Sequence, residues 1–217
     1  MSKKIISGVR PTRIELLKLR KREILARKGH DLLEEKRDAM VMEFFRMIDE
    51  YWERQEQLER DLERAYEQLL EAQMVMGYAS VGEISHAVPE MAEITMELRP
   101  IMGVKVPVIK EPETLRGTAE RGYSYVSTSA AFDEAADSFE SVMKHVLRVA
   151  ETETAIRKLA QEIERTKRRV NALENILIPR LHETQKYIEM HLEELEREDI
   201  FRRKRTKERK VEVEVEA

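Results

Sequence analysis

Apolar residues recur along two long stretches of the chain at steps of three, four or seven, the spacing that places them on one face of a helix. In the first stretch these positions are Met40, Phe44, Met47, Tyr51, Gln55 (a polar interruption), Leu58, Leu62, Ala65, Leu69, Ala72 and Met76. In the second they are Phe132, Ala135, Phe139, Val142, Val146, Val149, Ile156, Leu159, Ile163, Val170, Leu173, Leu177, Leu181, Thr184, Ile188, Leu192 and Leu195. Each stretch therefore predicts a long helix with one apolar seam.

Residues that break helices lie almost entirely between these two stretches. Five of the seven glycines and four of the six prolines fall between Gly77 and Gly122, which indicates an irregular middle. We predict an N-terminal coiled-coil helix over 1–76, a head over 77–128, a C-terminal coiled-coil helix over 129–210 and a disordered tail over 211–217. Each apolar seam has to be buried against another element. The predicted fold is therefore all-α, a long antiparallel two-helix coiled coil with a small middle head.

The head contains the signal of a short β-hairpin. The segments "ITMEL" (94–98) and "VKVPVI" (104–109) are rich in β-formers and are separated by the glycine-containing link "RPIMG". Pro107 lacks an N–H group, so its strand has to lie at an edge. The segment "VGEISHAVPEMAE" (81–93) is compatible with a short additional helix.

Pro179 interrupts the C-terminal seam. From Leu173 onward the apolar steps form an eleven-residue repeat, which favours a straighter coiled coil than a heptad repeat does. An interior proline removes one helical hydrogen bond and clashes with the preceding turn, at a cost of about 3 kcal/mol. The sequence therefore predicts a helix kink at Pro179.

Two large aromatic residues, Phe45 and Trp52, lie beside the N-terminal seam and directly follow the seam residues Phe44 and Tyr51. A widened core is the favoured interpretation, and a docking patch for another protein is the alternative. Solvent exposure distinguishes the two.

Charge is distributed unevenly, although the formal net charge is only −4. Residues 1–30 hold ten basic and two acidic residues, and residues 200–210 hold seven basic residues and Glu208, whereas residues 31–76 carry fourteen acids against six bases. An antiparallel fold brings the two basic segments to one tip. A single lysine there is ordinarily a solvated residue, but two basic runs together favour an acidic or polar-lined partner.

The residue types needed for catalysis or for cofactor binding are absent or poorly placed. The chain has no cysteine, no glycine-rich phosphate loop, and no two of its five histidines at a spacing of three or four. Carboxylates fall on polar helix faces, where burial cannot raise their pKa for acid or base chemistry. We therefore expect a non-catalytic protein without metal or cofactor. The basic runs lack interleaved aromatics, which disfavours nucleic acid, and no apolar run approaches about 18 residues, so we expect no membrane insertion.

Three segments carry a likeness to a known family. They are "RPTRIELLKLRKREILARKGHDLLEEKRD" (10–38), "RRVNALENILIPRLHETQKYIEMHLEELERED" (168–199) and the following "RRKRTKERK". Together they resemble the D subunit of the archaeal and vacuolar-type rotary ATPases, and "IMGVKVPVI" is similar to that family's short β-hairpin. Glu34 departs from the lysine expected there, which puts a local role of this side chain in doubt.

The resemblance implies a non-catalytic central rotor shaft, cytoplasmic and peripheral to the cell membrane. Its paired termini would enter the ring of catalytic A and regulatory B subunits, and its other end would hold the small F subunit of the stalk and rest on the funnel-shaped subunit that caps the membrane ring. The implied bearing contacts with the ring are Arg10, Arg13, Lys18, Arg20, Lys21, Arg202, Arg203, Lys204 and Arg205. The implied head contacts with stalk partners are Ile101, Met102, Gly103, Val104, Val106 and Pro107.

Two further hypotheses follow. A bend at Pro179 would make the shaft eccentric, so that rotation pushes laterally on the surrounding subunits; a tolerated kink without a mechanical role is the competing interpretation. The main alternative function is a coiled-coil scaffold or tether whose basic tip binds nucleic acid or an anionic membrane. Binding to nucleic acid should weaken steeply as salt rises, whereas a rotor shaft should copurify with A and B subunits.

Overall fold

The computed structural model describes residues 6, 8–88, 94–110, 122–123 and 128–216, with side chains up to residue 207. Its elements are α1 (Arg13–Met76), α2 (Tyr78–Ala87), β1 (Met96–Ile101), β2 (Val104–Ile109), α3 (Ala130–Ala172), a π-helical turn (Leu173–Leu177) and α4 (Ile178–Glu216). Long helices with a small antiparallel hairpin in the middle confirm the predicted fold class.

The chain divides into two compact units. Residues 1–38 and 164–217 form one, here named the terminal unit, and residues 39–163 form the other, here named the central unit. Both contain antiparallel helix pairs, as the apolar seams predict.

In the terminal unit the start of α1 lies antiparallel to α4. Arg13 pairs with Glu196, and Arg20 Nη2 lies 2.6 Å from Glu189 Oε1. The partner on α4 thus moves seven residues toward the N-terminus when the position on α1 moves seven residues toward the C-terminus, as in an antiparallel pair. The two helices enclose a core of Leu19, Leu181 and Ile188, all at most 3% exposed. Burying each of these side chains contributes about 1.5–3 kcal/mol, so the seam rather than the exposed ion pairs holds the helices together.

In the central unit the rest of α1 lies antiparallel to α3. The side chains of Gln68 and Ser138 are hydrogen-bonded, and Asp61 Oδ2 lies 2.7 Å from His145 Nδ1. A core of Met40, Met47, Val106, Ala155 and Leu159 includes the hairpin, and a second core contains Ala72, Val81 and Phe132. Helix α2 thus contributes to the second core through Val81.

The hairpin is tighter than the sequence predicts. Strand β1 runs to Ile101 and pairs Ile101 with Val104, so the link contains only Met102 and Gly103 instead of the five residues of "RPIMG". Both link residues have positive φ, 49° and 83°, as the two-residue turns that match strand twist require. Pro100 and Pro107 are tolerated within the strands because a two-stranded sheet has only edge strands.

The predicted N-terminal seam is confirmed, since every one of its residues is buried or half-buried. The C-terminal seam is wrong at three positions, Val146, Leu177 and Leu195, each 40% exposed. Next to the first of these, Leu147 is buried, 7% exposed, and had not been assigned to the seam. Thr166, 1% exposed, fills another inner position that a search for apolar residues missed.

The π-helical turn before Pro179 explains how the helix accommodates this residue. Ile178 N–H donates to the Leu173 carbonyl, five residues back, which widens the turn ahead of the proline ring. The Asn175 side chain also donates to the Asn171 carbonyl at 3.2 Å. The wide turn shifts the helical phase, and for this reason Leu177 leaves the seam. The predicted interruption thus takes the form of a local π turn, and its effect on the direction of the helix stays a prediction.

Two boundaries differ from the sequence-based expectation. Helix α4 continues to Glu216, whereas we expected a disordered tail over 211–217; extending a formed helix needs no new nucleation, and residue 217 lies outside the described residues. The short helix expected within 81–93 begins earlier, at Tyr78, and ends at Ala87. Residues 89–93 lie outside the described residues.

Candidate functional site

The basic residues expected to contact a partner are exposed on the terminal unit. Arg10, Arg13, Lys18, Arg20 and Lys21 come from the start of the chain, and Arg202, Arg203, Lys204 and Arg205 come from α4. Several are already paired: Lys18 with Glu15 at 2.7 Å and Arg202 with Glu198 at 3.0 Å, in addition to the pairs that join Arg13 and Arg20 to α4. These pairs are exposed and weak, so the cations remain available to an acidic partner.

In the terminal unit, the basic start of α1 is offset along the helix pair from the basic run of α4. Because Arg13 is level with Glu196, Arg202 lies six residues further along α4, about 9 Å at the helical rise of 1.5 Å per residue. The acidic residues Glu189 and Glu196 of α4 instead lie beside the basic start of α1. The sequence did not indicate this neutralisation, because the helix pairing decides which charges become neighbours.

The segment before α1 is tied to α4 by a contact that the sequence did not indicate. Ile6 N–H donates to Thr184 Oγ1 at 3.0 Å, and this hydroxyl donates to the Arg180 carbonyl at 2.6 Å. Ile6 and Val9 also pack against the core of the terminal unit. Thr184 is fully buried, so its place in the predicted seam is confirmed and its hydroxyl has a structural role.

Glu23 is a half-buried member of a polar network between α1 and α4. Its carboxylate accepts hydrogen bonds from Arg27 at 2.8 Å and from Gln185 at 2.7 Å, and only 13% of its side chain is exposed. The hydrogen bond from Arg27 lowers the pKa of Glu23 most strongly; burial opposes this shift, and the bond from Gln185 adds to it. The network favours the ionised carboxylate.

Replacing Glu23 by glutamine is therefore expected to reduce the free energy of unfolding by about 1 kcal/mol at neutral pH. Since the folded pKa is lowered, the stabilisation is fully present above the ordinary value of 4.5 and is lost as pH falls through the folded value. Urea unfolding at several pH values should show Glu23→Gln and the original chain converging in acid. The exposed Glu63→Gln is the control and should match the original chain throughout. A constant difference between Glu23→Gln and the original chain would contradict the prediction.

The hairpin residues expected to contact partners divide into two groups. Val106 is 2% exposed and packs with Met40 and Leu159, while Ile101 and Val104 pack against the same core. Ile109 N–H also donates to Glu151 on α3 at 3.3 Å, so this face of the hairpin is turned inward. Pro107 is half-buried, and Met102 and Gly103 lie exposed in the turn.

The exposed apolar side chains of the hairpin come mainly from β1. Met96, Leu98 and Met102 are 69%, 63% and 48% exposed. The sequence did not single out the first two, because alternation in an isolated hairpin does not tell which of its faces will be covered.

Phe45 and Trp52 are exposed, at 60% and 61% of their surface. A widened core is therefore the wrong interpretation, and the alternative of a docking patch fits the exposure. Both rings are held edge-on by their neighbours, Phe45 by Phe44 at 5.8 Å and Trp52 by Tyr51 at 5.7 Å between ring centroids. The two supporting rings are half-buried members of the seam.

Within the described ranges, none of the helices combines the length and the apolar character that crossing a membrane requires. The same part of the chain contains no group of three or more histidine, aspartate or glutamate side chains arranged to hold a metal ion.

Comparison with known proteins identifies relatives along nearly the whole chain. A family model described as the D subunit of ATP synthase matches residues 15–208. The D subunit of the A-type ATP synthase of Pyrococcus horikoshii is 49% identical over 202 residues, which cover 93% of this chain and 94% of that protein. The corresponding protein of Pyrococcus furiosus is 50% identical over the same coverage, and that of Methanobrevibacter smithii is 48% identical over 94% of this chain and 88% of that protein. The resemblance noted in the sequence is confirmed, and the chain belongs to the D-subunit family of ATP synthases, whose members are non-catalytic central-stalk subunits of a rotary ATPase.

Proposed function

We propose that this chain is the central rotor shaft of an A-type ATP synthase, transmitting torque between the ring of catalytic A and regulatory B subunits and the ion-translocating ring in the membrane. The family match over residues 15–208 carries this proposal. The chain itself performs no chemistry and works at the cytoplasmic side of the cell membrane, without inserting into it. It binds protein subunits rather than nucleic acid.

Transmission of torque requires that paired helices do not slide past each other. In the terminal unit, the core of Leu19, Leu181 and Ile188 interlocks α1 with α4. In the central unit, polar links between Asp61 and His145 and between Gln68 and Ser138 join α1 to α3. Sliding by one residue would break such links and move apolar side chains out of the seam, so each unit resists shear.

The exposed cations of the terminal unit are suited to a bearing contact. Arg13, Lys18 and Arg20 on α1 and Arg202 and Arg205 on α4 present charge on long, flexible side chains. A ring lined by acidic or polar groups would attract this surface. The surface could still rotate against the ring, because exposed ion pairs are individually weak. The shaft then couples to catalysis if each of its orientations favours a different conformation of the surrounding sites.

The hairpin of the central unit is the proposed contact with the small F subunit of the stalk and with the funnel-shaped subunit that caps the membrane ring. The inward packing of Val106 supports a structural role for this residue. We therefore assign the contact to the exposed side chains Met96, Leu98 and Met102. Apolar side chains that are exposed in the free chain contribute most to the free energy of binding, because the partner removes their surface from water.

A rotation experiment tests the shaft function directly. The chain has no cysteine, so Lys105→Cys, at the exposed position of β2, creates one attachment site for a bead. With a ring assembled from purified A and B subunits, addition of ATP is expected to turn the bead in one direction. The cysteine-free chain, treated with the same bead, is the control. Failure to copurify with the ring, or assembly without rotation, would overturn the proposal.

Pro179 offers a test of whether the interrupted helix matters mechanically. If the wide turn makes the shaft eccentric, Pro179→Ala is expected to leave ATP hydrolysis in place and to reduce partially the number of ions pumped per ATP. The exposed neighbour change Arg180→Ala is the control and should pump normally. The measurement compares the rate of ATP hydrolysis with the rate of ion pumping in vesicles. An unchanged number of ions pumped per ATP in Pro179→Ala would contradict the eccentric-shaft hypothesis.

A further inference from the structure

Strand β1 is the exposed strand of the hairpin. All of its residues except Ile101 are exposed, whereas β2 contains the buried Val106 and has a single exposed residue, Lys105. The hairpin therefore covers the core of the central unit mainly with β2 and presents β1 to solvent. A solvent-exposed edge strand can pair with a further strand, because its outward backbone groups have no partner within their own sheet.

The register of the hairpin decides which backbone groups of β1 point away from β2. The two-residue turn makes Ile101 and Val104 a hydrogen-bonded pair, and bonded and non-bonded pairs alternate along an antiparallel ladder. Lys110 N–H donates to the Thr95 carbonyl at 3.0 Å, as this alternation requires. The residues of β1 that direct their backbone groups outward are therefore Met96, Leu98 and Pro100.

The outer edge of β2 is already covered. Ile109 N–H donates to Glu151 Oε2 at 3.3 Å, and Lys158 Nζ donates to the Lys105 carbonyl at 3.5 Å. Both contacts come from α3. Pro107, the remaining outward residue of this strand, has no N–H to offer. A further strand therefore has no access to β2.

The outer edge of β1 is open in the part of the chain that the structure describes. The outward N–H groups of Met96 and Leu98 have no hydrogen-bond partner among the described residues. Pro100 contributes an outward carbonyl only. The side chains of Met96 and Leu98 are 69% and 63% exposed. This edge thus offers both backbone hydrogen bonds and apolar surface to an added strand.

The charges beside Leu98 specify which strand fits. Glu97 precedes it and Arg99 follows it, both exposed, and the pair of Glu97 with Lys110 at 2.5 Å is exposed and weak. An antiparallel strand fits best with a basic residue opposite Glu97 and an acidic residue opposite Arg99. In its own chain direction such a strand has the order acidic, apolar, basic. Residues 97–99 of this chain, Glu-Leu-Arg, have that order.

We propose that the free chain pairs with a second copy of itself through β1, with the two strands antiparallel about Leu98. The Leu98 N–H of each copy donates to the Leu98 carbonyl of the other, and Met96 N–H donates to the Pro100 carbonyl of the other. Glu97 of each copy lies opposite Arg99 of the second. The neighbouring symmetric registers would place Glu97 opposite Glu97 or Arg99 opposite Arg99, so charge selects this one.

This self-pairing concerns the free chain and does not rest on the shaft function. One short strand from each copy makes a small interface, and interfaces of this size are weak and reversible. The same edge carries Met96 and Leu98, which are assigned above to stalk partners. Assembly into the ATPase complex is therefore expected to compete with the dimer.

A proline substitution tests the backbone part of the proposal. Sedimentation of the full chain over a range of concentrations should show a monomer–dimer equilibrium. Leu98→Pro removes the central N–H of both copies and is expected to raise the Kd at least about tenfold. The hairpin already accommodates proline at the outward positions 100 and 107. The matched control Lys105→Pro, outward on β2, should dimerise like the original chain. Unchanged dimerisation of Leu98→Pro would overturn the inference.

Exchanging the two charges tests the register without altering the backbone. Glu97→Arg and Arg99→Glu, made singly, each place like charges opposite one another in both halves of the dimer and should raise the Kd severalfold. The double variant restores opposite charges and should recover most of the affinity. A double variant that dimerises no better than the single variants would refute the pairing about Leu98.

Hydrogen exchange resolved to single residues tests the same pairing directly. Raising the concentration of the original chain should slow exchange of the Leu98 and Met96 amides, while the Lys105 amide on the opposite edge stays unchanged. Equal slowing at Lys105 would indicate another interface and would contradict the proposal. If the isolated chain stays monomeric and the Leu98 amide is protected only in the reconstituted complex, the edge binds a stalk partner and the self-pairing is wrong.

Discussion

Replacing Leu19 by alanine is expected to lower the free energy of unfolding by about 2–5 kcal/mol. Leu19 is 1% exposed and packs against Leu181 and Ile188 across the antiparallel pair of the terminal unit. The substitution removes apolar contacts and leaves a cavity between two helices that cannot easily close together, because their other seam residues hold them apart. Urea unfolding followed by circular dichroism measures the loss.

Leu17→Ala is the matched control for this prediction. It makes the same chemical change two residues earlier on the same helix, but Leu17 is 57% exposed. Its effect is expected to stay within about 0.5 kcal/mol. Equal destabilisation by the two variants would mean that helix propensity, and not the seam, determines stability here, and would contradict the packing described for the terminal unit.

Introducing a charge at Ala72 is expected to destabilise the central unit by several kcal/mol. Ala72 has no exposed surface and shares a core with Val81 of α2 and Phe132 of α3. The carboxylate of Ala72→Asp would be removed from water without a partner of opposite charge, which costs several kcal/mol for a buried ion. Thermal unfolding should show a large fall in Tm, and the variant should regain part of its stability as acid protonates the new side chain.

The control for Ala72→Asp is Val75→Asp, three residues further along α1. Val75 is 65% exposed, so an aspartate there stays hydrated and the expected change is within about 0.5 kcal/mol. A similar Tm for the two aspartate variants would show that Ala72 is accessible to water in solution, and would refute the second core of the central unit.

The sequence predicted the seams well because burial and helical periodicity are linked through local geometry. Residues such as Met40, Ala65 and Leu159 recur at helical spacing and are buried. The prediction failed where an inner position is polar, as with Thr166, or where the helical phase changes, as at Leu177 after the π-helical turn. Apolar periodicity carries no information about either case.

The candidate functional surfaces were less predictable. The sequence identified the basic residues correctly as exposed, but it did not place Glu189 and Glu196 beside Arg20 and Arg13. It also did not reveal that the hairpin turns Val106 into the core. Both features stayed hidden because a residue's neighbours across a helix pair or a hairpin depend on register, which a single sequence does not specify.

The sequence by itself determined the two long helices, their antiparallel pairing, the hairpin between them and the family to which the chain belongs. These features follow from short-range periodicity, from the placement of glycine and proline, and from motifs that can be read in order along the chain. Only the tertiary structure decided which face of the hairpin is covered, which charges neutralise one another, and that Phe45 and Trp52 face solvent. Those outcomes depend on register and packing between segments that are distant in sequence, where the free energy of burial selects one arrangement among several that the local pattern permits.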